Sequence, residues 1–361
     1  MLSRRLAFVL AVVLLVAGTA RIGWLVGHQP TLGYANQFDM GRTSACLGLW
    51  PDLPEPARYE AHRAAPIPRY IEGERRPAEC YMSSELLFAG AAVATWKIAV
   101  RLGIANGSSM DLRFVGAAKA IALMGLAFLF TFLMRDRSAP MLMHATVYAI
   151  ILVDPVVTLW MNTLYTEFAA LLFAYAAVVC IAMLTISAAQ RNHWLWMLAI
   201  ALLGLGLSRQ QHALLPLCLA LLALPAIWRT RHAFVMPLLC AAGAAAIVQA
   251  FVMTRPPTIS AANNANVVLG TILPSARDSG GALRALRLPA RCEQVIGANW
   301  YVTMGEDLGA VCPEVLTLPR LRVFRYLLSE PATALRALMK AVPLTQPALL
   351  EYIGSDASRS F

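Results

Sequence analysis

Three short stretches of an otherwise apolar chain carry side chains able to do chemistry. Asn36-Gln37-Phe38-Asp39-Met40-Gly41-Arg42 sets a carboxylate beside a guanidinium, and Asn162-Thr163-Leu164-Tyr165-Thr166-Glu167 sets a second carboxylate among hydroxyls, an amide and a phenol. Ser208-Arg209-Gln210-Gln211-His212 gathers a guanidinium, two amides and an imidazole. A carboxylate within reach of a hydroxyl can act as a general base, and arginine grips phosphate through paired hydrogen bonds. Each stretch also has a plainer reading. Asp39 can be a turn residue paired with Arg42, with Gly41 letting the backbone bend. Glu167 can be a negative charge at a helix N-terminus, and Arg209 can snorkel from a span end. Brought to one face, the two carboxylates and the 208–212 cluster would form a pocket for a lipid-linked phosphate.

Whether they meet depends on the elements between them. The 361 residues are 59% hydrophobic and 14% charged, whereas soluble proteins carry roughly 25% charged residues. The composition is that of an integral membrane protein, and it excludes disorder, collagen-like repetition and a small disulfide scaffold. A helix needs about 20 apolar residues to cross a bilayer. The stretches 6–27, 114–134, 141–161, 168–188, 193–208, 213–228 and 233–253 are the candidates, which gives seven transmembrane helices in an all-α fold. An eighth stretch, 84–104, carries Lys97 and Arg101 on one face beside Glu85 and Thr95, and reads as an amphipathic helix at the interface. With it left out, Met1–Arg5, Arg135–Arg137, Gln190–Asn192 and Arg229–Arg231 all fall on the N-terminal side. Each carries arginine, so that side is expected to be cytoplasmic. The opposite face then receives a loop over 28–113, the turns at 162–167 and 208–212, and a C-terminal region over 254–361.

Two further properties follow this division. The net charge of +10 gathers mainly in cytoplasmic loops and span ends, so it reports topology and gives no support to nucleic acid as a partner. Cys46 and Cys80 lie in the first external segment and Cys292 and Cys312 in the C-terminal region, suiting bridges 46–80 and 292–312 on an oxidising side; four free thiols are the alternative. Arg4-Arg5, the apolar run to Ala17 and the small residues 18–20 could form a cleavable signal, but apolar character resumes at Ile22, which favours an uncleaved first helix. Ionisable residues in or beside spans are costly and are site candidates by default; these are Lys119, Asp154, Glu167, Arg209 and His212.

At these residues the chain resembles the multi-pass glycosyltransferases of the C superfamily (GT-C), in particular the bacterial cell-surface glycan hexose transferase type. The likeness lies in a first helix, a long external loop with an acidic residue near its start, a second acidic residue between the third and fourth spans, and a seven-helix module over 1–253. Asn36–Arg42 and Asn162–Glu167 resemble that family's two acidic motifs. The resemblance implies inverting transfer of a sugar, expected to be a hexose, from a polyprenyl-phosphate carrier to a glycan or lipid acceptor of the cell envelope, on the external face of a bacterial plasma membrane. Asp39 would be the general base. Glu167 would orient the acceptor or help hold a divalent metal, Mg or Mn. Arg209 and His212 would neutralise the leaving lipid phosphate, with Arg42, Asn162, Tyr165 and Gln211 completing the substrate-binding set. The chain departs from the pattern in its short C-terminal region and in having one acid, Asp39, in the first motif.

Elsewhere the signals are weaker. In the C-terminal region Val267–Leu273 is β-prone, Ser279-Gly280-Gly281 reads as a flexible break, and 319–328 reads as a basic amphipathic helix able to rest on anionic headgroups. No P-loop, HExxH, paired CxxC or GxSxG motif occurs. Two other classes stay open: a transporter or translocator of a lipid-linked substrate, whose charges would mark a transit path, and a non-catalytic assembly subunit.

Overall fold

The computed structural model describes residues 3–34, 38–59, 66–186, 191–209, 212, 214–231, 235–248, 257–298, 300 and 306–340. The chain divides into two compact units, Met1–Thr254 together with Ile353–Phe361, and Arg255–Tyr352.

The first unit is built of helices. α1 (Arg4–Gly27) turns Ala7, Ala11, Leu15, Gly18 and Ile22 inward at three- and four-residue intervals, against α4 (Arg113–Leu133) and α5 (Ser138–Val147). Leu6, Val9, Val13 and Val16 on its outer side are exposed, and exposed apolar surface of this kind suits a lipid surround. Arg4–Gly27, Arg113–Leu133 and Glu167–Ile186 (α7) are long and apolar enough to cross a membrane, and shorter apolar helices occupy 138–152, 192–206 and 215–228. The last two lie within α8 (Arg191–Gly206) and α9 (Leu215–Arg231), and α10 (Val235–Ile247) follows. One core of the unit lies among α1, α4, α5, α7, α8 and α9 and includes the buried rings of Tyr148, Phe130, Phe168 and Trp194.

The span expected over 141–161 is not one helix. α5 runs into a π-helical turn over Tyr148–Leu152, and a short α6 (Pro155–Thr158) follows. Pro155 has no N–H to continue the ladder, and the Asp154 carboxylate accepts from Val156 N at 2.9 Å as the N-cap of the new helix. Asp154 thus caps a helix.

The 28–113 segment departs from the expected all-α fold. α2 (Phe38–Leu47) leads into a three-stranded antiparallel sheet of β1 (Leu49–Pro51), β2 (Arg69–Glu72) and β3 (Met110–Asp111), with β2 central and Trp50 opposite Ile71. Strands of two to four residues leave no alternation to detect in sequence. Between β2 and β3 lies α3 (Glu85–Arg101), which packs on α4 through Ala89, Ala92 and Trp96. The Cys46–Cys80 bridge joins α2 to the segment before α3.

The second unit is also helical. α11 (Pro257–Asn264) continues through a π-helical stretch, Ala265–Ile272, into α12 (Leu273–Ser275). This corrects the β-prone reading of 267–273: Ala265, Val268, Leu269 and Ile272 recur at helical spacing and are buried, so tertiary packing overrides the β-branched preference. Nor is Ser279-Gly280-Gly281 a break. It opens α13 (Ser279–Leu286), with the Asp278 carboxylate accepting from Gly281 N at 2.9 Å. After α14 (Glu306–Val311) and α15 (Pro313–Leu316) come α16 (Arg320–Ser329) and a further helix over 331–340. The Cys292–Cys312 bridge lies in this unit's core beside Leu286, Leu308 and Val315.

Candidate active site

The three polar stretches meet. Arg209 Nη2 lies 2.8 Å from Asp39 Oδ2, and Nη1 of the same guanidinium bonds Glu167 Oε1, so one arginine bridges two carboxylates. Arg42 pairs with the other Asp39 oxygen. All four side chains are partly buried, where such charge-assisted bonds are stronger than in water.

Local structure accounts for each placement. Asp39 and Arg42 stand one turn apart on α2, the spacing that lets helix side chains meet. Gly41 lies within that helix, with nothing near the position of a Cβ, so the sharp bend expected there is absent. Glu167 is the first residue of α7, where a negative charge also complements the helix dipole. Arg209 follows α8, and Ser84 N donates to Leu207 O at 2.9 Å. The start of α3 is thereby tied to the Arg209 turn, while the Cys46–Cys80 bridge ties the same chain segment to α2.

Behind the acids lies a fully buried ion pair that sequence reasoning did not identify. Lys119 Nζ is 2.6 Å from Glu85 Oε1, with both side chains inaccessible, and it donates to Thr163 O at 2.8 Å and Trp160 O at 3.1 Å. One ammonium therefore holds α3, α4 and the turn leading to Glu167. The place of Lys119 in an apolar span makes it a candidate; its partner falls in the 84–104 stretch expected to be an interfacial helix. A cation in an apolar helix demands a counter-charge, and Glu85 at the head of the adjacent helix was the signal.

Asn162 is also buried. Its amide donates to Leu32 O at 2.9 Å and approaches Val26 O at 3.4 Å, and Gly116 opposite leaves the space that its side-chain oxygen fills. Asn162 therefore anchors the turn to the end of α1 and does not face a ligand. Tyr165 is buried too, edge-on to Trp160 with centroids 5.2 Å apart. Gln211 and residues 35–37 lie outside the described residues.

His212 corrects an expectation of charge. Burial, then the nearby Arg209 cation, lowers its pKa from the ordinary 6.5, so the ring is neutral at pH 7. The buried Ser208 hydroxyl donates to Leu205 O at 2.6 Å, leaving its oxygen to accept from His212 Nδ1 at 3.3 Å. Nε2 is then the nitrogen with the free lone pair. A neutral imidazole accepts protons and hydrogen bonds; it cannot neutralise phosphate.

Glu167 and His212 form the polar end of a cavity of about 620 Å³. The remaining wall is almost wholly apolar and follows one face of α7 through Leu171, Ala174, Val178 and Ala182 to Ile186. From Glu167 to Ile186 that face is roughly 28 Å long at about 1.5 Å per residue, near the thickness of a bilayer core. One polar group interrupts it midway: His144 Nε2 lies 2.6 Å from Tyr175 OH, and its Nδ1 lies 3.0 Å from Thr131 Oγ1. Sequence reasoning passed over His144, although an imidazole inside an apolar helix is a signal of the same kind as Lys119.

A divalent metal does not fit this arrangement. The position between Asp39 and Glu167 that a cation would take is filled by the Arg209 guanidinium. Among the described residues one group has the proximity of a metal site, Cys292, Cys312 and Glu314, and its two sulfurs are bonded to each other.

No curated protein and no solved structure shows a significant match to the chain. A family model does, over residues 2–304, and its description is the YfdI N-terminal transmembrane domain. That span takes in α1 to α10 and the head of the second unit. Apolar helices of bilayer length and a family defined as transmembrane agree, and this helical membrane protein belongs to the YfdI N-terminal transmembrane domain family.

Proposed function

We propose that the protein is a multi-pass membrane glycosyltransferase that moves a sugar, a hexose by resemblance, from a polyprenyl-phosphate carrier to a glycan or lipid acceptor of the cell envelope. The observation that carries this reading is the Asp39–Arg209–Glu167 bridge adjoining an apolar cavity headed by Glu167 and His212. A long hydrocarbon chain suits the groove along α7, and the phosphate at its head would reach the arginine.

The proposed chemistry follows from what each group can do. The lipid phosphate competes with the carboxylates for the Arg209 fork, because a guanidinium binds phosphate as readily as carboxylate. Its departure from Asp39 leaves that carboxylate held by Arg42 and open to an acceptor hydroxyl. The acceptor oxygen attacks the anomeric carbon, the bond from that carbon to the phosphate oxygen breaks, and the hydroxyl proton passes to Asp39. Arg209 stabilises the charge that grows on the leaving phosphate. Glu167 and the His212 Nε2 lone pair accept hydrogen bonds from sugar or acceptor hydroxyls.

The sidedness we propose has seven crossings, a cytoplasmic N-terminus and the site on the external face of a bacterial plasma membrane. The arginines of the short loops support this orientation, as do the two disulfides, which belong to an oxidising compartment.

The test is incubation of the purified full-length protein with a polyprenyl-phosphate hexose and an envelope glycan extract, reading release of free polyprenyl phosphate. Release that is lost in Asp39→Asn while the protein stays monodisperse supports the reading. Undiminished release by that variant removes Asp39 from the base role. Movement of intact lipid-linked sugar across a vesicle bilayer without release identifies a translocator.

A further inference from the structure

We propose that the second unit carries a binding site for the phosphate of an anionic phospholipid, formed by Arg287, Arg322 and Arg325, and that α16 lies along the lipid surface beside it. The three arginines line a cavity of about 490 Å³ together with Leu321, Tyr326 and Ser329, and no acidic residue lines it among the described residues. Arg322 is steadied by donating to Leu286 O at 3.4 Å. Arg287 ends α13 in the left-handed conformation, with φ of 56°. Glycine is the usual residue at that point, yet the chain places a cation there.

The faces of α16 explain why the ligand would be a lipid. Val323 and Tyr326 turn into the core of the unit. Arg322, Arg325 and Ser329, at positions i, i+3 and i+7, form the cavity face. A third face, about 100° further round at about 3.6 residues per turn, presents Leu321, Phe324 and Leu328, which are 59%, 56% and 66% exposed. The next helix, over 331–340, leaves Leu335, Leu338 and Met339 exposed, while Arg336 and Lys340 hold it to α12 by donating to Ser275 O at 2.7 Å and Pro274 O at 2.8 Å. Exposed apolar faces beside a cationic cavity match a molecule with acyl chains and a phosphate head. A soluble phosphate would account for the arginines and leave the apolar faces unexplained. The chain's membership of a transmembrane family puts lipid within its surroundings.

The test places a diazirine-bearing amino acid at Leu328 in the full-length protein, reconstituted in nanodiscs of phosphatidylcholine with increasing phosphatidylglycerol. Irradiation is expected to give lipid adducts, with phosphatidylglycerol captured in preference to phosphatidylcholine. Neutralising Arg287, Arg322 and Arg325 to Gln is expected to weaken that preference about fivefold per arginine, on the order of a hundredfold for all three. Replacing them by Lys is expected to keep most of it. Retention of the Cys292–Cys312 bridge in each variant, read by thiol alkylation and mass spectrometry, shows that the unit has folded. Three results would overturn the proposal: adducts with water or protein alone, a preference unchanged in the folded Gln variant, or loss of the lipid adducts on adding inorganic phosphate at constant ionic strength.

Discussion

Arg209 and Asp39 lie 170 positions apart in the chain, and their side chains meet at 2.8 Å. Because the same guanidinium also holds Glu167, it keeps two like charges together that would otherwise repel. Arg209→Gln is expected to lower the transfer rate about 10- to 100-fold, the scale of losing one charge-assisted bond of about 1.5–3 kcal/mol. Arg209→Lys, with a point charge and no fork, is expected to recover part of that loss. Release of lipid phosphate under single-turnover conditions measures both, and an unaltered rate in Arg209→Gln would remove the bridge from the mechanism.

His212 gives a dependence on pH. Its folded pKa lies below the ordinary 6.5, so the unfolded chain takes up a proton first as pH falls. The stability due to the neutral ring is complete above about 6.5 and is lost as pH falls through the lower folded value. Thermal unfolding in detergent should show a midpoint that declines from pH 7 to pH 5, with a shallower decline in His212→Gln. Identical slopes would show that the ring is free to take up a proton in the folded protein.

The Glu85–Lys119 pair offers a comparison of single and double replacements. Lys119→Met alone leaves a buried carboxylate without its cation, at a cost of about 3–5 kcal/mol. Glu85→Met alone strands the ammonium at a similar cost. The double replacement by Met removes both charges, and its melting temperature should exceed that of either single variant. A double variant no more stable than the singles would mean that the bonds from Lys119 to Trp160 O and Thr163 O outweigh the ion pair.

Gly116→Ala tests the turn before Glu167. A Cβ at that position would fall on the Asn162 side-chain oxygen. The amide must then give up its bonds to α1 and the following loop, with a loss of about 1–3 kcal/mol. Transfer should fall with stability, and Gly125→Ala on the same helix, where a Cβ meets open space, should be neutral. Equal behaviour of the two would show that Asn162 relaxes freely.

Much of the site was legible because a charge stands out against an apolar background. Asp39, Glu167 and Arg209 were each recognisable as candidates, and the pattern of arginine-bearing loops predicted that they share one face. What was not legible depends on contacts between distant segments. Glu85 is marked only indirectly, by the counter-charge that Lys119 requires, since the apolar residues around it fit an interfacial helix equally well. His144 is conspicuous in sequence as an imidazole in an apolar helix, but its partners Tyr175 and Thr131 come from other helices. Asn162 and Tyr165 were expected to touch substrate because polar and aromatic residues in a turn look available, yet both turn inward. The Asp39–Arg42 pair and the place of Glu167 at the head of α7 agree with the plain structural readings of those residues. Both contacts also belong to the shared constellation. Cys46 pairs with Cys80 and Cys292 with Cys312, as the placement of one pair in each of two separate segments suggested.

The sealed ammonium of Lys119 also bears on biogenesis. A lone α4 entering the membrane would bring a naked cation with it, at a cost of up to about 2.5–3.5 kcal/mol near mid-depth. Glu85 lies on the preceding helix, so α3 and α4 can neutralise each other as a hairpin before the later helices leave the ribosome. The carbonyls of Trp160 and Thr163 arrive afterwards and close over a charge already matched, so the acidic turn would be the last part of this cluster to mature.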